Sequence, residues 1–144
     1  MPWTPIVPEA FFELSYQQKR LEHYWELLRR SEEFRFGVFQ GKTLCASINL
    51  TSVEYGAFQN GRLGYSVDCE HTGQGLASEY IGKVCHYAFT QLSLHRLEAN
   101  VMPRNTPSRC VLLKCGFEKV GHSPTMIEIA GKWEDHDMFA KVQS

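Results

Sequence analysis

The sequence predicts an α/β fold built on one mixed sheet. Several stretches alternate apolar and polar residues, as half-buried strands do. Two others repeat apolar residues at helical spacing, and a third is bounded by helix-start and helix-stop residues. They follow one another as helix, three strands, helix, strand, helix and further strands, an order typical of layered α/β proteins. With 144 residues, the chain is expected to be one domain, residues 1–144, that buries roughly two-thirds of its unfolded surface.

The first helix is predicted from about Tyr16 to Ser31. Ser15 and Gln18 form a capping-box pattern at its start. Apolar residues then follow at helical spacing, so core packing is the favoured role for Tyr24 and Trp25, with substrate contact as the alternative. Three strands are predicted next, at Phe34–Phe39, Leu44–Thr51 and Arg62–Asp68.

The second half of the chain alternates helices and strands. A helical stripe begins near Gly75, and a strand is predicted at Arg96–Met102. The third helix, Asn105–Cys115, carries Pro107 in its first turn and is ended by Gly116. The remaining strand segments are Phe117–Val120 and Met126–Ile129, interrupted at Gly121 and Pro124, and then Trp133–Val142.

Composition excludes several classes of function. A net charge of -1 argues against a general nucleic-acid binder. The sequence has no apolar run long enough to span a membrane, and its N-terminus lacks the basic region of a signal peptide. The five cysteines are odd in number and lack a CxxC spacing, which predicts reduced thiols in a cytoplasmic protein. The six histidines show no metal-ligand spacing, so no metal is expected.

The most informative segment is Leu63–Ser78, which is predicted to be a strand, a glycine turn and a helix start. A helix start presents free N–H groups and a positive dipole end to an anion. Gly73 and Gly75 allow the backbone to close around a phosphate. The P-loop pattern fails because Leu76 follows Gly75, and the dinucleotide fingerprint fails because Ser78 replaces the third glycine. An ordinary strand-to-helix turn remains an equal alternative.

Further motifs give this loop a context. Residues Thr72 to Ala77 resemble the pyrophosphate loop (Arg/Gln)-x-x-Gly-x-(Gly/Ala), with Thr72 as a departure. Asn105-x-x-Ser108, Leu113–Glu118 and Gly131–His136 follow in order. Together, Phe34–Val142 resembles the ribosomal-protein alanine N-acetyltransferases, the RimJ/RimL branch of the GNAT superfamily. The resemblance implies the acyl-CoA N-acyltransferase fold, with a mixed, mostly antiparallel central sheet flanked by helices.

The resemblance also implies a shortened N-terminus. The Trp3-x-Pro5 pattern is similar to a loop that members carry after a first strand and first helix, and here it lies at the start of the sequence. Phe34–Phe39 is therefore expected to be the outer strand of the sheet. An apolar edge tends to be covered or paired, either by residues 1–12 or by a second copy, and the homodimer is the favoured prediction.

Members of this family transfer an acetyl group from acetyl-CoA to an amine. The resemblance implies CoA contacts from the third strand and glycine loop, at Ser66, Val67, Asp68, Thr72, Gly73, Gln74, Gly75, Leu76, Ala77 and Ser78. It also implies that the N–H near Val67 stabilises the oxyanion, that Asn105 holds the pantetheine arm and that Ser108 donates to the sulfur. The alternative is that Asn105 and Ser108 only cap a helix.

The general base is less well defined. Many members carry a glutamate on the third strand, but Arg62–Tyr65 contains no carboxylate. The candidates are Glu98, Asp135 and His136, each with an ordinary surface or turn role as the alternative. An α-amine has an unperturbed pKa of about 8, so it needs little base strength.

Three functions remain open. The first is direct acetyl transfer to a primary amine, with a protein N-terminal α-amine favoured. The second is acetylation of a small amine such as a polyamine or drug. The third is a truncated acetyl-CoA-binding module with little catalysis. Neither a nucleic acid nor a membrane is an expected partner.

Overall fold

A computed structural model describes residues 8–67 and 75–143. A short 3-10 turn, Glu9–Phe12, precedes helix α1. The helices are α1 (Leu14–Arg29), α2 (Leu76–Thr90) and α3 (Thr106–Lys114). The strands are β1 (Phe34–Gln40), β2 (Thr43–Glu54), β3 (Asn60–Val67), β4 (Arg96–Val101), β5 (Glu118–Ile129) and β6 (Lys132–Val142).

The six strands form one sheet in the order β1-β2-β3-β4-β6-β5. Four of the neighbouring pairs are antiparallel, and β3 and β4 are parallel. The predicted mixed, mostly antiparallel sheet is therefore confirmed. Within the described residues, β1 pairs only with β2, which agrees with its prediction as an outer strand.

The core lies between one face of the sheet and helices α2 and α3. Strand alternation directs every second side chain of β2 and β4 into it. Helix α2 contributes its buried stripe, and α3 contributes Leu112. The largest buried side chains include Ile48, Leu50, Ile81, Leu97, Phe117 and Phe139. No described helix has the length and apolar character required to cross a bilayer.

Helix α1 differs from its prediction. It begins at Leu14, and the residue before it, Glu13, makes no side-chain capping bond, so the predicted capping box is wrong. None of its residues is buried, and the Trp25 side chain is 61% exposed, so its predicted core role is wrong. Tyr24 instead packs its ring under the Arg35 guanidinium, 3.7 Å from the ring centre. Apolar periodicity identifies one face of a helix but not what that face meets.

Strand β5 is continuous where two pieces were predicted. Its ladder with β6 shifts register between Lys119 and Gly121 and again between Ser123 and Ile127. Such bulges leave residues unpaired without ending a strand, so Pro124 is accommodated despite its missing N–H. The predicted interruptions are therefore bulges in one long hairpin.

The N-terminal residues were one of the two predicted covers for the outer edge of β1. Residues 8–12 form a turn that contacts α1, and a 3-10 turn supplies no extended strand to pair with β1. Residues 1–7, the other part of the predicted cover, lie outside the described residues. The covering of the β1 edge by a second copy stays a prediction.

Candidate active site

A wedge opens between β3 and β4. The two strands pair only over Asn60–Arg62 and Arg96–Glu98. Beyond that point Leu63–Val67 continues along β2, while Ala99–Val101 continues along β6. The parallel ladder therefore ends in the middle of the sheet, and the two strands diverge on either side of a gap.

Helix α2 begins at Leu76, the residue after Gly75 of the predicted glycine loop. Gly75 is its N-cap residue, with φ +74, a left-handed conformation that favours glycine. Glycine has no side chain to cap the N–H groups of Leu76, Ala77 and Ser78, and such a helix start favours an anion. Four predicted CoA contacts, Asp68, Thr72, Gly73 and Gln74, lie outside the described residues.

Ser108 and Asn105 meet at the start of α3, on the core face beside the wedge. The Asn105 side-chain oxygen accepts from the Ser108 N–H at 3.4 Å, which is the capping role named as the alternative. The Ser108 hydroxyl is hydrogen-bonded to the Tyr65 hydroxyl, and the Tyr65 O–H also lies 3.2 Å from the Ser108 carbonyl oxygen. Burial raises the pKa of Tyr65, so its phenol stays protonated at neutral pH.

The wedge has a second, polar face. Strand alternation places Ser66, Glu98 and Asn100 on the side of the sheet opposite α2 and α3. The Ser66 hydroxyl lies 3.0 Å from that of Ser47 on the next strand. Val67, the next predicted contact, packs partly against the core.

Two carboxylates on this polar face, Glu98 and Glu134, are ion-paired. Glu98 accepts from the Arg96 guanidinium at 2.9 Å. Glu134 accepts two bonds from Arg104, both at 3.1 Å. The hydrogen bond from Arg104 holds the pKa of Glu134 below its ordinary range. The Arg96 guanidinium already occupies one carboxylate oxygen of Glu98.

His136 lies on the same face of β6 and is buried, so its alternative as a surface histidine is wrong. Its Nδ1 is 3.0 Å from the Glu134 carbonyl oxygen. Because a carbonyl only accepts, Nδ1 donates to it, and in the neutral imidazole Nε2 then keeps the lone pair. Asp135, the third candidate, instead accepts from the Thr125 N–H at 2.9 Å across the β5–β6 hairpin. Because Asp135 lies within β6, the turn role given as its alternative is wrong.

Sequence reasoning missed a charged cluster between the β5–β6 hairpin and Arg109 of α3. Asp137 is buried, with the His122 Nδ1 at 2.9 Å and the Lys119 ammonium at 3.2 Å. The Arg109 Nε lies 3.9 Å from its other oxygen. The one signal in the sequence is register: Asp137 alternates with Phe139 and so shares its core-facing side.

Comparison with known proteins gives this architecture a family. The sequence profile of the acetyltransferase (GNAT) domain matches residues 1–118. Probable N-acetyltransferase YjcK of Bacillus subtilis (strain 168) is 40% identical over 140 residues, which cover 96% of this chain and 77% of that protein. The ribosomal protein uS5-alanine N-acetyltransferase of Escherichia coli (strain K12) is 33% identical, covering 96% and 73%. Spermidine N(1)-acetyltransferase of Vibrio cholerae is 28% identical, covering 92% and 73%.

Two solved structures of acetyltransferases superpose closely on this chain. A ribosomal-protein-S5-alanine acetyltransferase from Vibrio fischeri superposes with a TM-score of 0.93 at 31% identity, covering 98% of this chain and 78% of that one. RimJ of Mycobacterium smegmatis, in complex with CoA-disulfide, gives 0.92 at 28% identity, covering 98% and 69%.

The mixed, mostly antiparallel sheet flanked by helices is that of the GNAT acyltransferase fold. The chain belongs to the GNAT acetyltransferase family and is an N-acetyltransferase. Enzymes of this family use acetyl-CoA as the acetyl donor.

Proposed function

We propose that this chain, acting as one domain, acetylates the α-amine of a protein N-terminus by direct attack on acetyl-CoA. The observation that carries the choice of acceptor is the ion pairing of the two carboxylates nearest the wedge and His136, Glu98 and Glu134. A polyamine is a string of ammonium groups and needs free carboxylates. Glu98 and Glu134 are each neutralised by an arginine, whereas a peptide N-terminus brings a single amine. The relative named for the alanine of a ribosomal protein supports the same class of acceptor.

The donor occupies the wedge. The N–H groups of residues 72–78 hold the pyrophosphate, and the pantetheine arm runs between β3 and β4 past Ser66 and Asn105. The N–H near Val67 stabilises the oxyanion as the tetrahedral centre forms. The Ser108 hydroxyl donates to the sulfur of the departing CoA thiolate. This assignment is supported by the position of Ser108, whose hydroxyl lies beside the wedge on α3.

The acceptor reaches the thioester from the polar face. An α-amine with a pKa of about 8 is partly neutral at physiological pH, so proton removal needs only a weak base. His136 supplies it through Nε2, since Nδ1 is held by a carbonyl oxygen. Glu98 is the second candidate, and one of its oxygens already accepts a hydrogen bond from Arg96.

A polyamine acceptor is the alternative, because a spermidine acetyltransferase is among the relatives. The experiment compares three acceptors at equal concentration with acetyl-CoA: a short peptide beginning with alanine, the same peptide with a blocked α-amine, and spermidine. Release of the CoA thiol and the mass of the product are measured. We expect acetylation of the free peptide alone.

Two results would contradict the proposal. A larger kcat/KM for spermidine than for the peptide assigns the chain to small amines. Binding of acetyl-CoA without turnover of any acceptor assigns it to the class of binding modules. His136→Gln should lower the rate of peptide acetylation, because it removes the nitrogen proposed to take the proton of the amine.

A further inference from the structure

Tyr65 and Ser108 join two elements that are far apart in the chain. Tyr65 lies on β3, on the core face of the wedge, and Ser108 lies in the first turn of α3, 43 residues later. Their hydroxyls are hydrogen-bonded to each other. A tyrosine hydroxyl has one hydrogen to donate, and it has two acceptors within reach on the same residue, the Ser108 side-chain oxygen and its carbonyl oxygen.

The two acceptors are not equivalent. The carbonyl oxygen of a residue in the first turn of a helix already accepts the N–H four residues on. The Ser108 hydroxyl oxygen has no such partner within the helix backbone. Its hydrogen rotates about the C–O bond unless a hydrogen bond fixes its direction. Asn105 holds the Ser108 backbone through its N–H but does not orient the side chain.

We propose that Tyr65 is a positioning residue that donates to the Ser108 oxygen and so directs the Ser108 hydrogen into the wedge, toward the sulfur of CoA. This inference rests on the donor-site part of the proposed function. Ser108 then gives a hydrogen bond to the sulfur as negative charge develops there, and no proton leaves Tyr65. A donor that itself accepts a hydrogen bond becomes a stronger donor, so the two hydroxyls act as one unit.

The burial of Tyr65 suits this role. Its ring is half-buried beside core residues, and burial raises the pKa of its phenol, so the hydroxyl keeps its hydrogen throughout the working pH range. The nearby Cys115 thiol also raises the pKa of Tyr65, whereas the hydrogen bond with Ser108 lowers it. Tyr65→Phe removes only the hydroxyl and leaves the ring in place.

The test is a double-mutant cycle with Tyr65→Phe, Ser108→Ala and both together. The measured quantity is the pKa of the CoA thiol bound to the protein, followed by thiolate absorbance as the difference between the complexes with CoA and with desulfo-CoA. We expect each single variant to raise this pKa by about half a unit, the size of one modest hydrogen bond. The double variant should raise it no further than Ser108→Ala alone. Tyr55→Phe, an exposed tyrosine outside the wedge, is the matched control and should change nothing.

Additive shifts in the double variant would overturn the proposal, because Tyr65 would then act independently of Ser108. An unchanged pKa in Tyr65→Phe would overturn it as well. With an accepted amine, Tyr65→Phe should lower kcat about three- to tenfold while leaving the KM for acetyl-CoA nearly unchanged. If Tyr65→Phe fails to fold, the hydroxyl is structural and the proposal is wrong. The thiol measurement needs no acceptor, so it stands even if the peptide is not the substrate.

Discussion

The buried carboxylate of Asp137 provides a sharp test of how the β5–β6 hairpin and α3 are held together. Removing one member of a buried ion pair costs roughly 3–5 kcal/mol, because its partner's charge is left uncompensated. Here the partners Lys119 and His122 are 48% and 44% exposed, so solvent compensates much of that loss. We therefore expect Asp137→Asn to lower the free energy of unfolding by about 1–3 kcal/mol.

The sign of the pH dependence follows from two opposite pKa shifts. Burial alone would raise the pKa of Asp137, but hydrogen bonds from His122 and Lys119 outweigh it and hold that pKa below its ordinary range. The contribution of Asp137 to the free energy of unfolding is present above the pKa of about 3.9 that an aspartate has in the unfolded chain. It is lost as the pH falls through the pKa of Asp137 in the folded protein. The hydrogen bond to Asp137 raises the pKa of His122. The His122 contribution is present below about pH 6.5 and is lost as pH rises through the folded value.

Urea unfolding of the wild type and of Asp137→Asn is therefore measured at about pH 5.5 and again at about pH 9, on either side of the histidine titration. The difference between the two proteins should be larger at the lower pH, and Tm should fall by about 3–10 °C there. Asp135→Asn is the control, because Asp135 contacts the same histidine but its side chain is 47% exposed, and its effect should be small. Equal stability of Asp137→Asn and wild type at the lower pH would refute the reasoning, as would a difference that does not change with pH.

Three further predictions concern the donor site, the cysteines and the sheet edge. Acetyl-CoA should raise the Tm of the protein in a thermal-shift assay, because it binds the folded state. Gly75→Glu should abolish that increase, because it adds bulk and negative charge at a left-handed backbone position. A normal increase in the variant would show that the assignment of the glycine loop is wrong. Neither Cys110 nor Cys115 should form an acetyl-enzyme, and burial raises the pKa of the Cys115 thiol. After incubation of the protein with acetyl-CoA and no acceptor, mass spectrometry should find no acetyl group on either cysteine that is passed on to an added amine. The β1 edge should pair with a second copy, so light scattering should give a dimer; a monomer with Phe34–Phe39 uncovered contradicts this.

Local chemistry made part of the fold predictable. Apolar alternation located β2 and β4, because one face of each strand is buried and the other is not. Asn105 before Pro107 located the start of α3, because a capping side chain and a proline act on the nearest turn. Gly75 indicated the start of α2, because a left-handed N-cap position favours glycine.

Contacts between distant elements were not predictable. The bond between Tyr65 and Ser108 depends on how β3 diverges from β4, which no local pattern encodes. The burial of His136 and Asp137 depends on the elements that cover β6. The exposure of Trp25 is the converse case, since its apolar stripe is typical of a buried helix face.

The geometry of the wedge supports the position proposed for the acetyl-CoA donor. A strand has hydrogen-bonding groups along both edges, and Leu63–Val67 uses only its β2 edge in the described part of the sheet. The other edge faces the gap, and so does the corresponding edge of Ala99–Val101. Backbone groups at the middle of a sheet are costly to leave unpaired. A pantetheine arm carries amides that match those groups. We therefore propose that the divergence that ends the parallel ladder provides both the space for acetyl-CoA and backbone bonds to it beside Ser108.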